Sequence, residues 1–269
     1  MILTFLVSVF TAGSVAGYIA EMLWCMMTHQ VIESRQGMVF GPFSQVYGIA
    51  AVLLTLIISK DSSRTKIFLI SAAVGGIYEY ACSYIQERLF GTVSWDYGNS
   101  FLSIGGRTSL IFCLFWGTMG VFLIKYLNPA LSSVLSRVRG EKMTVISAVV
   151  TVFFILNLQL SFMAVKRQTG RRLNVPAVTE IDKWLDLRFN DDVLKRIYPN
   201  MVVVEAKAVK NKNKDKAKEA FNRSENPEEA KEVVRSFVSK DNVMTDPMGS
   251  WTGSPADLSD VPTQDADDL

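Results

Sequence analysis

Met143-Thr-Val-Ile-Ser-Ala-Val-Val-Thr-Val-Phe-Phe-Ile-Leu-Asn-Leu-Gln-Leu-Ser-Phe-Met-Ala-Val165 contains no Asp, Glu, Lys or Arg. Roughly 20 apolar residues in a helix cross a hydrocarbon core of about 30 Å, so this stretch reads as a transmembrane segment. Four stretches upstream read the same way, at about 2–27, 39–59, 67–87 and 107–127. Lipid offers no partner to a backbone N–H or C=O, so each is expected to be helical. The expected fold is therefore an all-α integral membrane bundle of about five spans: a multi-pass protein of the cell membrane whose first partner is the lipid bilayer.

The whole-chain figures, 49% hydrophobic and a net charge of +2, would suit a soluble protein and conceal a division. Residues 1–165 carry 10 Lys/Arg and 7 Asp/Glu, whereas residues 166–269 carry 18 and 19. The chain is an apolar body followed by a polar tail. Ser14-Val15-Ala16 resembles a signal-peptide cleavage site, but no basic segment precedes it and the apolar run continues to Met27, so the first span is read as retained.

Two carboxylates stand inside apolar spans. Glu21 follows Gly17 by four residues and Glu79 follows Gly75 by four. An ionisable group at bilayer depth is costly, which makes each a candidate functional residue. Aligning them, an offset of 58 residues, also superposes Ile19 on Ile77 and leaves a polar, Gly-rich connection after each span. The first connection runs from Arg35-Gln-Gly37 through Gly41-Pro42-Phe43 to Tyr47-Gly48; the second runs from Trp95-Asp96-Tyr97 through Gly105-Gly106-Arg107 to Trp116-Gly117. This pattern predicts two tandem helical hairpins followed by a fifth helix. Small residues at Gly13, Gly17, Gly75 and Gly76 would let the first and third helices approach and bring the carboxylates together.

Arg35 and Arg107 carry forks that suit a carboxylate, so buried ion pairs are the favoured reading of the two glutamates, with direct contact to a cation or proton as the alternative. Gly41-Pro42 reads as a helix start, since Pro costs nothing in a first turn. The alternative is a non-helical loop lining a polar cavity, as in transporters. Trp95, Tyr97 and Tyr47 are expected in an interfacial aromatic belt. Lys/Arg counts in the loops balance between the two sides, so the positive-inside rule gives no orientation.

Cys25, Cys82 and Cys113 all fall within apolar spans and have no metal-ligand spacing; His29 is alone. The sequence contains no Gly-x-x-x-x-Gly-Lys-Ser/Thr, Gly-x-Ser-x-Gly or His-Glu-x-x-His. No enzymatic activity, cofactor or metal is expected, and energy must come from a gradient or a partner.

In the tail, Thr179 can cap a helix whose Ile181, Trp184 and Leu185 form an apolar stripe suited to the membrane surface or to a neighbouring loop. Asn190 can cap a further turn that Pro199 stops, and Asn226-Pro227 opens a third helix through Val238. Residues 166–240 thus read as polar and partly helical, and 241–269 as an acidic disordered end. The Lys-rich run 205–223 is read as a solvated linker, with no nucleic acid as partner.

Taken in order, Gly17-Tyr-Ile-Ala-Glu21, Arg35-Gln-Gly37, Phe40-Gly-Pro-Phe43, Val46-Tyr-Gly48, Glu79-Tyr80, Glu87-Arg-Leu-Phe90-Gly91, Trp95-Asp-Tyr97, Gly106-Arg107 and Phe115-Trp-Gly117 resemble the bacterial family of type IV ABC-transporter permeases. The likeness covers about residues 10–165. Gln36, Val39, Ser44-Gln45, Gly98 and Gly105 depart from its pattern, so a cavity lined by them would differ in what it admits. The resemblance implies a permease-like subunit served by a separate ATPase, with a homo-oligomer also compatible. Its polar centre would draw on Glu21, Glu79, Arg35, Arg107, Asp96, Gly41, Pro42 and Tyr47. The rival reading is a non-transporting anchor that presents the tail to a partner; an intramembrane enzyme with a glutamate base is a third.

Overall fold

A computed structural model describes residues 2–98, 100–138 and 140–204. Up to Val202 these form one unit. It comprises α1 (Ile2–His29), α2 (Gln45–Ile57), α3 (Arg64–Phe90), α4 (Leu110–Phe122), α5 (Asn128–Arg137), α6 (Glu141–Arg172), α7 (Glu180–Arg188) and α8 (Asp191–Ile197). Among the described residues, four helical stretches are long and apolar enough to cross a membrane: Ile2–Thr28, Arg64–Phe90, Leu110–Arg137 and Glu141–Arg172.

The fourth of the expected spans is longer than its apolar run because α4 passes into α5 through a π-helical turn, Leu123–Leu127. Pro129 follows directly on this π-helical turn, at the start of α5. The second expected span, 39–59, is corrected more substantially. Its helix covers only 13 residues, starting at Gln45, and at 1.5 Å per residue extends about 20 Å. Residues 39–44 are not helical. Pro42 therefore precedes the helix rather than opening it.

α1 packs on α2 and α3 on α4, forming two hairpins with α6 laid against α1 and α3. A core of Val9, Ala51, Leu54, Ile67, Leu123 and Ile124 joins the hairpins. The ends of α3 and α6 meet where Thr169 Oγ1 and Arg172 Nη2 both donate to Phe90 O. Both connecting loops lie at this end, since Ser34 Oγ donates to Ile197 O and Asn200 Nδ2 donates to Ser94 O. The second loop carries a short antiparallel pairing of Ser103–Ile104 with Thr108–Ser109.

The caps expected in the tail form. Thr179 and Asp182 make a reciprocal capping box on α7, and Asn190 Oδ1 accepts from Val193 N–H to start α8. α7 and α8 dock on the end of α6 through Leu185, Phe189, Leu194 and Tyr198, packed against Ala164, Val165 and Val39. The helix expected after Asn226, the Lys-rich run 205–223 and the acidic end 241–269 lie outside the described residues.

Candidate functional site

The first connecting loop enters the membrane domain as irregular backbone. Met38 and Val39 are buried in it. Val39 N–H donates to Ser161 Oγ (2.9 Å), Phe40 N–H donates to Asn157 Oδ1 (3.2 Å), and Asn157 Nδ2 donates back to Phe40 O (2.8 Å). Asn157 and Ser161 lie one turn apart on one face of α6, within its charge-free run. Non-helical backbone at such depth is tolerated only where protein satisfies it, and these two side chains do so. Gly41 turns the loop at φ +79, a conformation open to glycine. Its carbonyl accepts from Gln36 Nε2 at 3.0 Å and from Phe43 N–H at 2.9 Å. The backbone at Gly41-Pro42 is thus non-helical.

The two hairpins repeat each other contact by contact. A Cβ built on Gly17 would meet the Tyr47 ring at 2.1 Å, and one on Gly75 would meet Trp116 at 2.4 Å. Gly48 lies against Phe10, and Gly117 against Phe68. Gly13 lies against Ala51, and Ser71 against Gly120. All the helix-one and helix-three partners are related by the offset of 58 that superposes the glutamates, and all the helix-two and helix-four partners by a second constant offset, Tyr47 to Trp116. Where the halves meet, Tyr47 and Trp116 stack with ring centroids 5.2 Å apart and planes 26° apart.

Each ring of this stack neighbours one of two equivalent carboxylates, Tyr47 beside Glu21 and Trp116 beside Glu79. Glu21 is beside the Tyr47 hydroxyl, with Arg35 and Glu79 near enough to act on its charge. Glu79 is 6% exposed. Its oxygens accept from Tyr97 OH (3.0 Å) and Thr108 Oγ1 (2.9 Å), and Trp116 is a further neighbour. Tyr97 is fixed in turn by stacking on Phe112, with centroids 3.9 Å apart. Tyr47 and Tyr97 thus stack on other rings within the helical unit, Tyr97 also donating to Glu79. Trp95 donates its indole N–H to Arg107 O at 2.9 Å, pinning the second loop.

The arginines do not pair with the glutamates as expected. Among the described residues Arg35 pairs with Glu33 (3.3 Å), and Arg107 with Glu87 in a very short contact. Each also reaches one turn beyond a glutamate: Arg35 Nη2 donates to Cys25 Sγ (2.9 Å) and Arg107 Nη1 to Ser83 Oγ (3.2 Å). Cys25 and Ser83 are again related by 58 residues. Arg107 also lies over the Tyr80 and Tyr84 rings. Glu79 is thus left to hydroxyls and an aromatic edge, whereas Glu21 lies beside the Tyr47 hydroxyl with Arg35 acting on its charge. Asp96 Oδ1 accepts from Gly98 N–H (3.0 Å) and shapes the second loop.

Sequence reasoning gathered Glu21, Glu79, Tyr47, Arg35 and Arg107 into one region and missed Asn157, Ser161, Trp116, Tyr97 and Thr108 as its structural partners. For the first two a signal existed: two hydrogen-bonding side chains four residues apart in an otherwise apolar span. On the apolar side of the Tyr47–Trp116 stack lies a crevice lined by Gly13, Ala16, Leu54, Met119 and Leu123.

A sequence profile of the family described as putative ABC-transporter type IV matches residues 8–162. That range contains α1 from Ser8 onward, the rest of both hairpins, the two loops, and α6 as far as Phe162. No curated protein and no solved structure matches the chain.

Proposed function

The chain belongs to the family described as putative ABC-transporter type IV, and on that premise we propose that it is a permease-like, non-enzymatic subunit of the cell membrane, energised by a separate ATPase. The seam between the hairpins is the proposed transport centre. One observation carries this reading: the repeat brings Glu21 and Glu79 to equivalent positions at the seam, neither in a salt bridge among the described residues, Glu79 accepting from the Tyr97 and Thr108 hydroxyls and Glu21 lying beside the Tyr47 hydroxyl with Arg35 nearby. A carboxylate whose full charge is not already spent in an ion pair is free to take up a proton or a cation, and ionisable groups inside membranes mark such pathways. Tandem halves meeting at a central polar site also suit alternating access, in which one half rocks against the other.

Two measurements test the reading. Native-membrane purification of the tagged chain should recover a nucleotide-binding subunit, and complexes consistently free of any ATPase would overturn the energised-subunit proposal. Glu79→Gln and Glu21→Gln should abolish transport-dependent phenotypes in protein that still folds. Full function in both variants would remove the seam as the transport centre and favour the anchor reading.

A further inference from the structure

We propose that the outward face of α7 rests on the anionic surface of the bilayer and anchors the cap formed by α7 and α8 at the membrane interface. The apolar stripe read from the sequence divides in two. Leu185 turns inward onto Ala164 and Val165, while Ile181, Trp184 and Leu187 face out at 56%, 47% and 77% exposure.

The depth of α7 follows from what holds it. Leu185 packs on the last residues of the charge-free run, and Asp186 Oδ2 accepts from Arg167 Nη2 at 2.8 Å. Arg167 is two residues past Val165, about 3 Å along the helix axis. The helix is therefore tied to the level at which α6 passes from hydrocarbon to water. On α6, just before the residues that Leu185 packs against, Phe162 and Met163 are also exposed. An amphipathic helix at this level, with a tryptophan on its open face, fits an interfacial segment.

Charge selects the surface. The acids of α7 are largely consumed inside the cap: Asp186 bonds both Arg167 and Arg171, and Asp182 closes the capping box. Lys183 and Arg188 of α7 are exposed, Lys183 paired with Glu180 at 2.8 Å, and Lys166 and Arg172 are exposed on the end of α6 that carries the cap. Basic residues beside an apolar face favour anionic head-groups, at about five-fold in partition for each cation at the surface.

The test uses the full chain reconstituted in phosphatidylcholine vesicles with and without phosphatidylglycerol. Acyl chains are brominated either near the head-group or near the methyl end. The fluorescence difference between the wild type and Trp184→Phe isolates Trp184, and the phenyl ring retains the contact with Phe189. Stronger quenching of this component by the shallow bromines, rising with phosphatidylglycerol and losing that rise in Lys183→Gln/Arg188→Gln, is the expected result. Quenching by aqueous acrylamide but by neither bromolipid overturns the proposal. So does protection from both quenchers, which would place a second copy of the chain on the face. Quenching independent of phosphatidylglycerol overturns the anionic preference.

Discussion

Asn157→Leu is the sharpest probe of the irregular loop. Leucine keeps the branching and heavy-atom count of the asparagine side chain, so the change removes the amide's hydrogen-bonding atoms and opens no cavity. Two hydrogen bonds to Phe40 are lost. Each is worth about 0.5–1.5 kcal/mol net, and an orphaned buried group costs about 1–3 kcal/mol. Side-chain hydrogen bonds between membrane helices average only about 0.6 kcal/mol, because the groups find other partners when separated. The Phe40 amide has no helical neighbour to fall back on, so about 2 kcal/mol is the working value. That corresponds to roughly a 30-fold rise in the opening equilibrium. Hydrogen exchange by mass spectrometry on purified protein in nanodiscs should show residues 38–43 exchanging faster by that order, with α3 and α4 unchanged. Ser161→Ala, which removes the bond to Val39, should give about five-fold, or about 1 kcal/mol. Unchanged protection over 38–43 in Asn157→Leu would refute the claim that α6 holds the loop at depth.

Gly17→Ala and Gly75→Ala should each cost about 1–3 kcal/mol by overpacking against Tyr47 and Trp116; thermal unfolding in detergent reads this, and tolerance at one site alone would break the equivalence of the halves. Cys25→Ser gives the first half the hydroxyl that the second half has at Ser83, so unfolding temperature and transport should both be retained; a large loss would mean that the thiol has a role beyond accepting from Arg35. At low pH the cap should loosen: hydrogen bonds from Arg167 and then Arg171 hold the Asp186 carboxyl below its ordinary value of 3.8. Its stabilisation is fully present above that value and is lost as pH falls through the lower folded value. Limited proteolysis between α6 and α7 at descending pH checks this, and Asp186→Asn should remove the dependence.

The membrane fold was legible because it rests on composition over about 20 consecutive residues, as in Met143–Val165, where no distant partner alters the outcome. The repeat was legible too, through Gly17 and Gly75 with their glutamates, although its full extent through Phe10 and Phe68 emerged only with the contacts. The start of α2 was not. Phe40 and Val39 stay out of a helix because their backbone groups bond Asn157 and Ser161, more than a hundred residues away, and local propensity holds no trace of that competition. The arginine pairings failed for a related reason. Arg107 had two glutamates on α3 within sequence reach, and the choice of Glu87 over Glu79 depends on Tyr97 and Thr108 already occupying Glu79.

Gly13 against Ala51 in one half corresponds to Ser71 against Gly120 in the other. The smaller residue has changed sides while the gap between the helices has remained narrow. What the architecture holds constant at this level is the summed volume of a touching pair, not the identity of either member. In an alignment of relatives each of these columns should look permissive alone, with the constraint appearing as covariation: a gain of one or two heavy atoms on one helix answered by a loss on its neighbour.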